Sequence, residues 1–151
     1  MKDYLEIKEK LYSSCSLFTN EKLTTIMNTL DSNKKALFSE TKSSAGDKHE
    51  TGRAMLQLEM EKASQQLVSI NQMKEVLQKV IINKSSDVIN LGSLIVTDKA
   101  NYFLAISIGK ITINSIDYYA VSTNSPIGKQ LLGKHIGEII QFNNAKILKI
   151  F

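Results

Sequence analysis

Two carboxylates stand three positions apart in the run Ser43-Ser44-Ala45-Gly46-Asp47-Lys48-His49-Glu50-Thr51-Gly52-Arg53, directly after a cluster of small residues. Residues i and i+3 of a helix share a face, so Asp47 and Glu50 form a local pair of oxygen donors where the chain turns. Acids at the end of a rigid arm suit delivery of carboxylates into another molecule's active site. The spacing also has a purely local use, because Asp-x-x-Glu is a helix-start signature in which the Asp caps and the Glu reaches back. Arg53 lies one turn beyond Glu50 and is the one arginine among 19 basic residues. Its planar fork holds phosphate or carboxylate at two points, as lysine does not. Lys48 and His49, between the acids, are weaker electrostatic candidates. One cysteine and two widely separated histidines, His49 and His135, give no zinc set.

The tip needs an arm to carry it. From residue 2 to about residue 40 there is neither Pro nor Gly, and Ile7, Leu11, Cys15, Phe18, Leu23, Ile26, Met27, Leu30 and Leu37 recur at helical spacing. The step from Phe18 to Leu23 is one residue off that rhythm, so either a stutter or a new helix at Thr19-Asn20-Glu21 fits. After the tip, Leu56, Met60, Ala63, Leu67, Ile70, Lys74 and Leu77 advance by fours and threes, a heptad seam with one polar interruption. The spacing predicts two helices folded back antiparallel over residues 1–82, with the acidic tip near 46–50. At about 1.5 Å per residue, a helix from His49 to Val80 is roughly 48 Å long.

Beyond Asn83-Lys84-Ser85-Ser86-Asp87 the period falls to two, with Tyr102, Leu104, Ile106 and Ile108 alternating with Phe103, Ala105 and Ser107. Further short runs cover 88–97, 110–114, 117–122, 138–142 and 146–151. They predict a small antiparallel β domain over 83–151. Within it, Ser125-Pro126-Ile127-Gly128-Lys129-Gln130-Leu131-Leu132-Gly133 reads as one short helix, with an N-cap serine, proline at the first helical position and a closing glycine. Ile127, Leu131 and Leu132 are then expected to cover a face of the sheet. The fold class is α+β.

Of 151 residues, 42% are apolar, enough for a folded domain plus an extended element. Residues 1–80 hold 12 Lys+Arg against 11 Asp+Glu, and the remainder 7 against 4. Neither half is a basic arm that would hold bare nucleic acid by counterion release. A lone cysteine fits a reducing compartment. No apolar run reaches the roughly 20 residues of a membrane span, so a soluble cytoplasmic protein without a membrane partner is expected.

Two separated motifs together resemble one family. The run from Ser125 to Glu138, with Ser-Pro-Ile, the pair Leu131-Leu132, then Gly133-Lys134 and Gly137-Glu138, is similar to the C-terminal signature of the bacterial transcript-cleavage factors GreA and GreB. Gly46-Asp47-Lys48-His49-Glu50 resembles that family's Gly-Asp-x-x-Glu tip. The order also matches, a coiled coil followed by a domain of the fold shared with FK506-binding proteins. One departure stands out: Thr51-Gly52-Arg53-Ala54 follows the tip where the family has Asn-Ala-Glu-Tyr or a close variant, so a third acid and an aromatic are missing.

The resemblance implies RNA polymerase as partner, with the coiled coil in its secondary channel and nascent RNA reached through its active site. It implies that Asp47 and Glu50 help position a second Mg²⁺, held only in the complex and shared with the polymerase, to cleave backtracked RNA. Magnesium takes oxygen ligands through one or two carboxylates, the chemistry of this pair. No cofactor is expected in the free protein, and no small-molecule substrate. The hydrolysis would be the polymerase's own, which makes the chain an auxiliary factor. Lys48, His49 and Arg53 would then touch RNA or polymerase, and Ser125, Pro126, Ile127, Leu131, Leu132 and Gly133 would form the docking motif. The altered tip also allows a regulator that binds without cleaving, and the residues alone allow a coiled-coil module unrelated to transcription. With no Trp and with Tyr102, Phe103, Tyr118 and Tyr119 expected as strand aromatics, prolyl-isomerase chemistry is not expected.

Overall fold

In the computed structural model, the backbone is described for residues 3–42 and 46–151, and side chains for residues 3–39 and 51–151. The first element, α1 (Tyr4–Lys42), is one uninterrupted helix of 39 residues. Asp3 caps it: its Oδ1 accepts from the backbone N–H groups of Leu5 at 3.1 Å and Glu6 at 3.3 Å. No new helix starts at Thr19-Asn20, for a tertiary and a local reason. Thr19 is buried, and the hydroxyls of Thr24 and Thr25 donate to the carbonyls of Asn20 and Glu21 four residues back. These polar groups are thus satisfied inside the helix.

The second helix, α2 (Gly46–Lys79), runs for 34 residues. Ile26 of α1 packs with Ala63 and Ile70 of α2, flanked by Leu23, Leu30, Leu67 and Met73, which is the seam that the heptad spacing predicts. Past Leu30 and Ala63 the seam thins: Leu56 and Met60 are only half-buried, and the buried residue on α1 is polar, Asn33. The Asn33 Nδ2 has no hydrogen-bond partner.

Contacts divide the chain into two compact units. One joins α1 through Phe18 with Lys74–Phe151, and the other is Thr19–Met73. The units therefore cut across the helices, because both helix ends nearest the sheet are tied into the first unit. The Tyr4 ring stacks on Phe151 with centroids 3.5 Å apart, and the Tyr12 hydroxyl donates to the Leu77 carbonyl at 3.0 Å.

The sheet has six strands, β1 (Leu94–Thr97), β2 (Asn101–Ala105), β3 (Gly109–Ile113), β4 (Ile116–Ser122), β5 (Ile139–Ile140) and β6 (Ala145–Ile150), in the order β3-β4-β2-β1-β6-β5. A two-residue turn at Asn114-Ser115, both at positive φ, closes the β3–β4 hairpin. That hairpin folds back so that β4 lies beside β2, and this pair is parallel, from Asn101 against Tyr118 to Ala105 against Ser122. The expected all-antiparallel sheet is corrected at this one pairing. Tyr102, Phe103, Leu104, Ala105 and Ile106 are all buried, as befits a central strand covered on both faces.

Helix α3 (Pro126–Leu131) sends Ile127 and Leu131 into the core formed by Ile89, Ile95, Tyr102, Leu104, Ile140 and Ile147. The architecture is a long helical hairpin followed by a mainly antiparallel sheet with one short helix, an α+β fold.

Candidate functional site

Two places in the fold carry the residues that the sequence singles out. At the first, the backbone sets Asp47, Lys48, His49 and Glu50 in the opening turns of α2, directly after Gly46. Their side chains lie outside the described residues, as does the run Ser43-Ser44-Ala45 that precedes them. A helix start is electropositive, since its first N–H groups have no partner within the helix, and it favours acids in the first turn.

Arg53, exposed on α2, is brought against α1. It lines an open groove of about 540 Å³ with Asp31, Lys34, Lys35, Leu37 and Phe38. Lys35 pairs with Asp31 at 3.1 Å. Arg53, Lys34 and Lys35 thus form a cationic cluster beside an exposed aromatic ring, which suits a phosphate-bearing or acidic surface. Lys34, Lys35 and Phe38 were not read as site residues from the sequence. Their signal is cross-helix proximity, which helical periodicity on α1 does not reveal.

The second place is the motif around α3. Ser125 caps the helix: its Oγ accepts from the Gly128 N–H at 3.0 Å and donates to the Ser122 carbonyl at 2.7 Å. Pro126 fills the first helical position, where a missing N–H costs nothing. Ile127 and Leu131 are buried and present no surface. Leu132, expected to cover the sheet beside them, is instead 47% exposed, because its φ of −57° and ψ of 126° leave the helix at that residue. Gly133 takes a φ of +83°, the left-handed conformation that ends helices, and its N–H donates to the Ile89 carbonyl. Of this set, Pro126, Leu132 and Gly133 are exposed.

Just beyond, Ile136, Ile139 and Phe142 are exposed as well, and the Phe142 N–H donates to Gln130 Oε1 at 2.7 Å, which fastens that turn to α3. The run 138–142, expected as a strand, forms β5 at Ile139–Ile140, and strand spacing alone does not mark these apolar groups as exposed. His135 is a loop residue whose backbone N–H donates to Glu138 Oε2 at 2.6 Å. This bond is the main reason the Glu138 carboxyl is held below its usual pKa, with the nearby His135 ring and Lys134 contributing in the same direction.

Among the described residues no three His, Cys, Asp or Glu side chains converge as a metal site, and no helix is long and apolar enough to cross a membrane. Burial pushes the Cys15 thiol up to about 12, and burial likewise raises Tyr102 and Tyr118. None of these is poised for chemistry near neutral pH.

No protein-family model matches the chain, and no curated protein does. A solved structure of the transcription factor Gfh1 aligns over 92% of this chain and 92% of that one, at 15% identity and a TM-score of 0.34. A likeness of that degree assigns neither family nor function.

Proposed function

We propose that this chain is a Gre-like auxiliary factor of RNA polymerase, which places the carboxylates of Asp47 and Glu50 at the polymerase catalytic centre and promotes cleavage of backtracked RNA. The observation that carries the reading is the co-occurrence, in one chain, of an acid pair at the turn of a long helical hairpin and the Ser125 to Gly133 motif in the following α+β domain.

In this reading Asp47 and Glu50 supply oxygen ligands to Mg²⁺ in the complex. The ion's contribution when bound is to acidify an attacking water and to offset charge on the phosphate. Arg53, with Lys34 and Lys35 beside it, offers donors to RNA phosphate or to a polymerase carboxylate. Leu132, Ile136, Ile139 and Phe142 supply the apolar part of the docking surface, and the buried part of the α3 motif holds that surface in shape.

A second reading has a specific observation in its favour. Thr51-Gly52-Arg53-Ala54 replaces the acidic and aromatic continuation of the tip, and a tip with two acids and a cation suits a regulator that occupies the channel without cleaving.

The deciding experiment is RNA cleavage by stalled, backtracked elongation complexes of the cognate polymerase. Wild-type protein is expected to shorten the RNA in the presence of Mg²⁺, and Asp47→Ala and Glu50→Ala to bind equally without shortening it. Binding without cleavage by the wild type selects the regulator. No binding rejects both.

A further inference from the structure

Where α1 begins, the segment that follows α2 and Phe151 border a solvent-open pocket of about 170 Å³, along which Asn83, Lys84 and Ser85 are exposed. Lys8 lines it and is only 2% exposed. The Lys8 ammonium makes one hydrogen bond, 3.4 Å to the Lys84 carbonyl, and among the described residues it has no ion-pair partner. An ammonium has three protons to place. A buried charge with one long hydrogen bond is costly unless an opposite charge accompanies it.

No acidic side chain lines this space, and among the described residues no carboxylate lies within ion-pair distance of Lys8. The pocket wall supplies further donors instead. Asn83, Lys84 and Ser85 line the same space, and among the described residues their side chains make no hydrogen bond within the protein. Lys149 adds a third cation nearby, with its Nζ 5.9 Å from the centroid of the Tyr4 ring. The stacked Tyr4 and Phe151 form an apolar flank. At about 30 Å³ per water in the liquid, the volume equals roughly five or six waters, ample for one small oxyanion.

We propose that this pocket is an oxyanion site, in which a phosphate group supplies the missing counter-charge of Lys8 and accepts hydrogen bonds from Ser85, Asn83 and Lys84. A tetrahedral phosphate offers several acceptor oxygens at once, where a carboxylate offers two. Its position ties α1 to the chain leaving α2, so occupancy would fasten that joint. The assignment is independent of the polymerase reading. The competing resolution is a Lys8 that sheds its proton, since burial lowers its hold on the proton.

The test is an amide and lysine side-chain NMR titration of the full chain near pH 7 at constant ionic strength, with inorganic phosphate as probe, a ribose 5-phosphate monoester as a second arm and chloride as control. Saturable shifts at residues 83–85 and at Lys8, weakened about tenfold or more in Lys8→Gln, support the site. Saturation by inorganic phosphate alone identifies a free ion as the ligand, and tighter saturation by the monoester identifies a phosphorylated metabolite or nucleotide. No saturable shift by about 20 mM, or equal shifts in folded Lys8→Gln, overturns it. If Lys8→Gln does not fold, the exposed double variant Asn83→Ala/Ser85→Ala decides: weaker phosphate binding supports the site, and unchanged binding rejects it.

Discussion

Gly128→Ala is the sharpest test of how the α3 motif works. A Cβ built on Gly128 would sit 1.8 Å from the Ser122 carbonyl oxygen, 2.8 Å from its carbon and 2.9 Å from Ser125 Oγ. Comfortable carbon–oxygen contacts begin near roughly 3.3 Å, so the methyl is short of space by more than an ångström against backbone, which has no rotamer to yield. Relief requires α3 to move away from the end of β4. That motion strains the cap, which rests on the same oxygen through Ser125 Oγ at 2.7 Å and Ser125 N at 3.2 Å. Replacing a helical Gly by Ala returns about 1 kcal/mol of propensity. Overpacking costs about 1–3 kcal/mol and a weakened cap about another 1. The net is a destabilisation of about 2 kcal/mol, or a melting point lower by roughly 10 °C for a unit of this size. All five tyrosines, Tyr4, Tyr12, Tyr102, Tyr118 and Tyr119, belong to the unit that contains the sheet, and the chain has no Trp. The tyrosine band of the near-ultraviolet circular dichroism therefore reads that unit alone. The control is Lys129→Ala, exposed on the same helix, with an expected change within about 0.5 kcal/mol. A Gly128→Ala protein that melts within about 2 °C of wild type would refute the steric account.

Two further outcomes are expected. Asn33→Leu removes a buried Nδ2 with no partner and should stabilise the helical pair by about 1 kcal/mol, seen as a higher melting point at 222 nm; a clear loss of stability would show that Asn33 is satisfied. Cys15 should resist iodoacetamide at pH 8 until the protein unfolds. The folded thiol keeps its proton to about 12, whereas an unfolded one releases it near about 8.5. Between those values the unfolded state binds fewer protons, so Cys15 makes stability fall as pH rises. Cys15→Ala should flatten that decline in alkaline urea titrations, and an equally steep decline would sink the assignment.

The legibility of this chain follows the range of the interactions involved. The seam Leu23, Ile26, Leu30, Ala63, Leu67 and Ile70 was readable because a 3.6-residue period records burial along a single helix. The cap at Ser125 was readable because capping is settled within three residues. What escaped depends on partners distant in sequence. The parallel β2–β4 pairing arises because the β3–β4 hairpin turns back into the sheet, and strand periodicity carries no record of neighbour order. Thr19 and Asn20 look like a helix start, yet tertiary burial of Thr19 overrides that local preference. The acid pair was legible as a candidate from its spacing alone, whereas Lys34, Lys35 and Phe38 entered only when α1 met Arg53.

The α3 motif shows how to separate a folding role from a binding role. Ser125 is engaged by its cap, Gly128 by its contact with β4, and Ile127 and Leu131 by the core, so substituting any of them lowers stability and would depress partner binding indirectly. Leu132 differs, being half exposed and outside the helix. Leu132→Ala should leave the tyrosine-monitored melt nearly unchanged, within about 0.5 kcal/mol. If the proposed docking surface is real, the same variant should weaken polymerase binding by roughly fivefold or more, the effect of an apolar interface contact worth about 1 kcal/mol. Leu131→Ala should instead cost about 3 kcal/mol of stability. Affinity that tracks stability across the two variants would make the motif a purely structural element, and affinity lost in Leu132→Ala at constant stability would make it an interface.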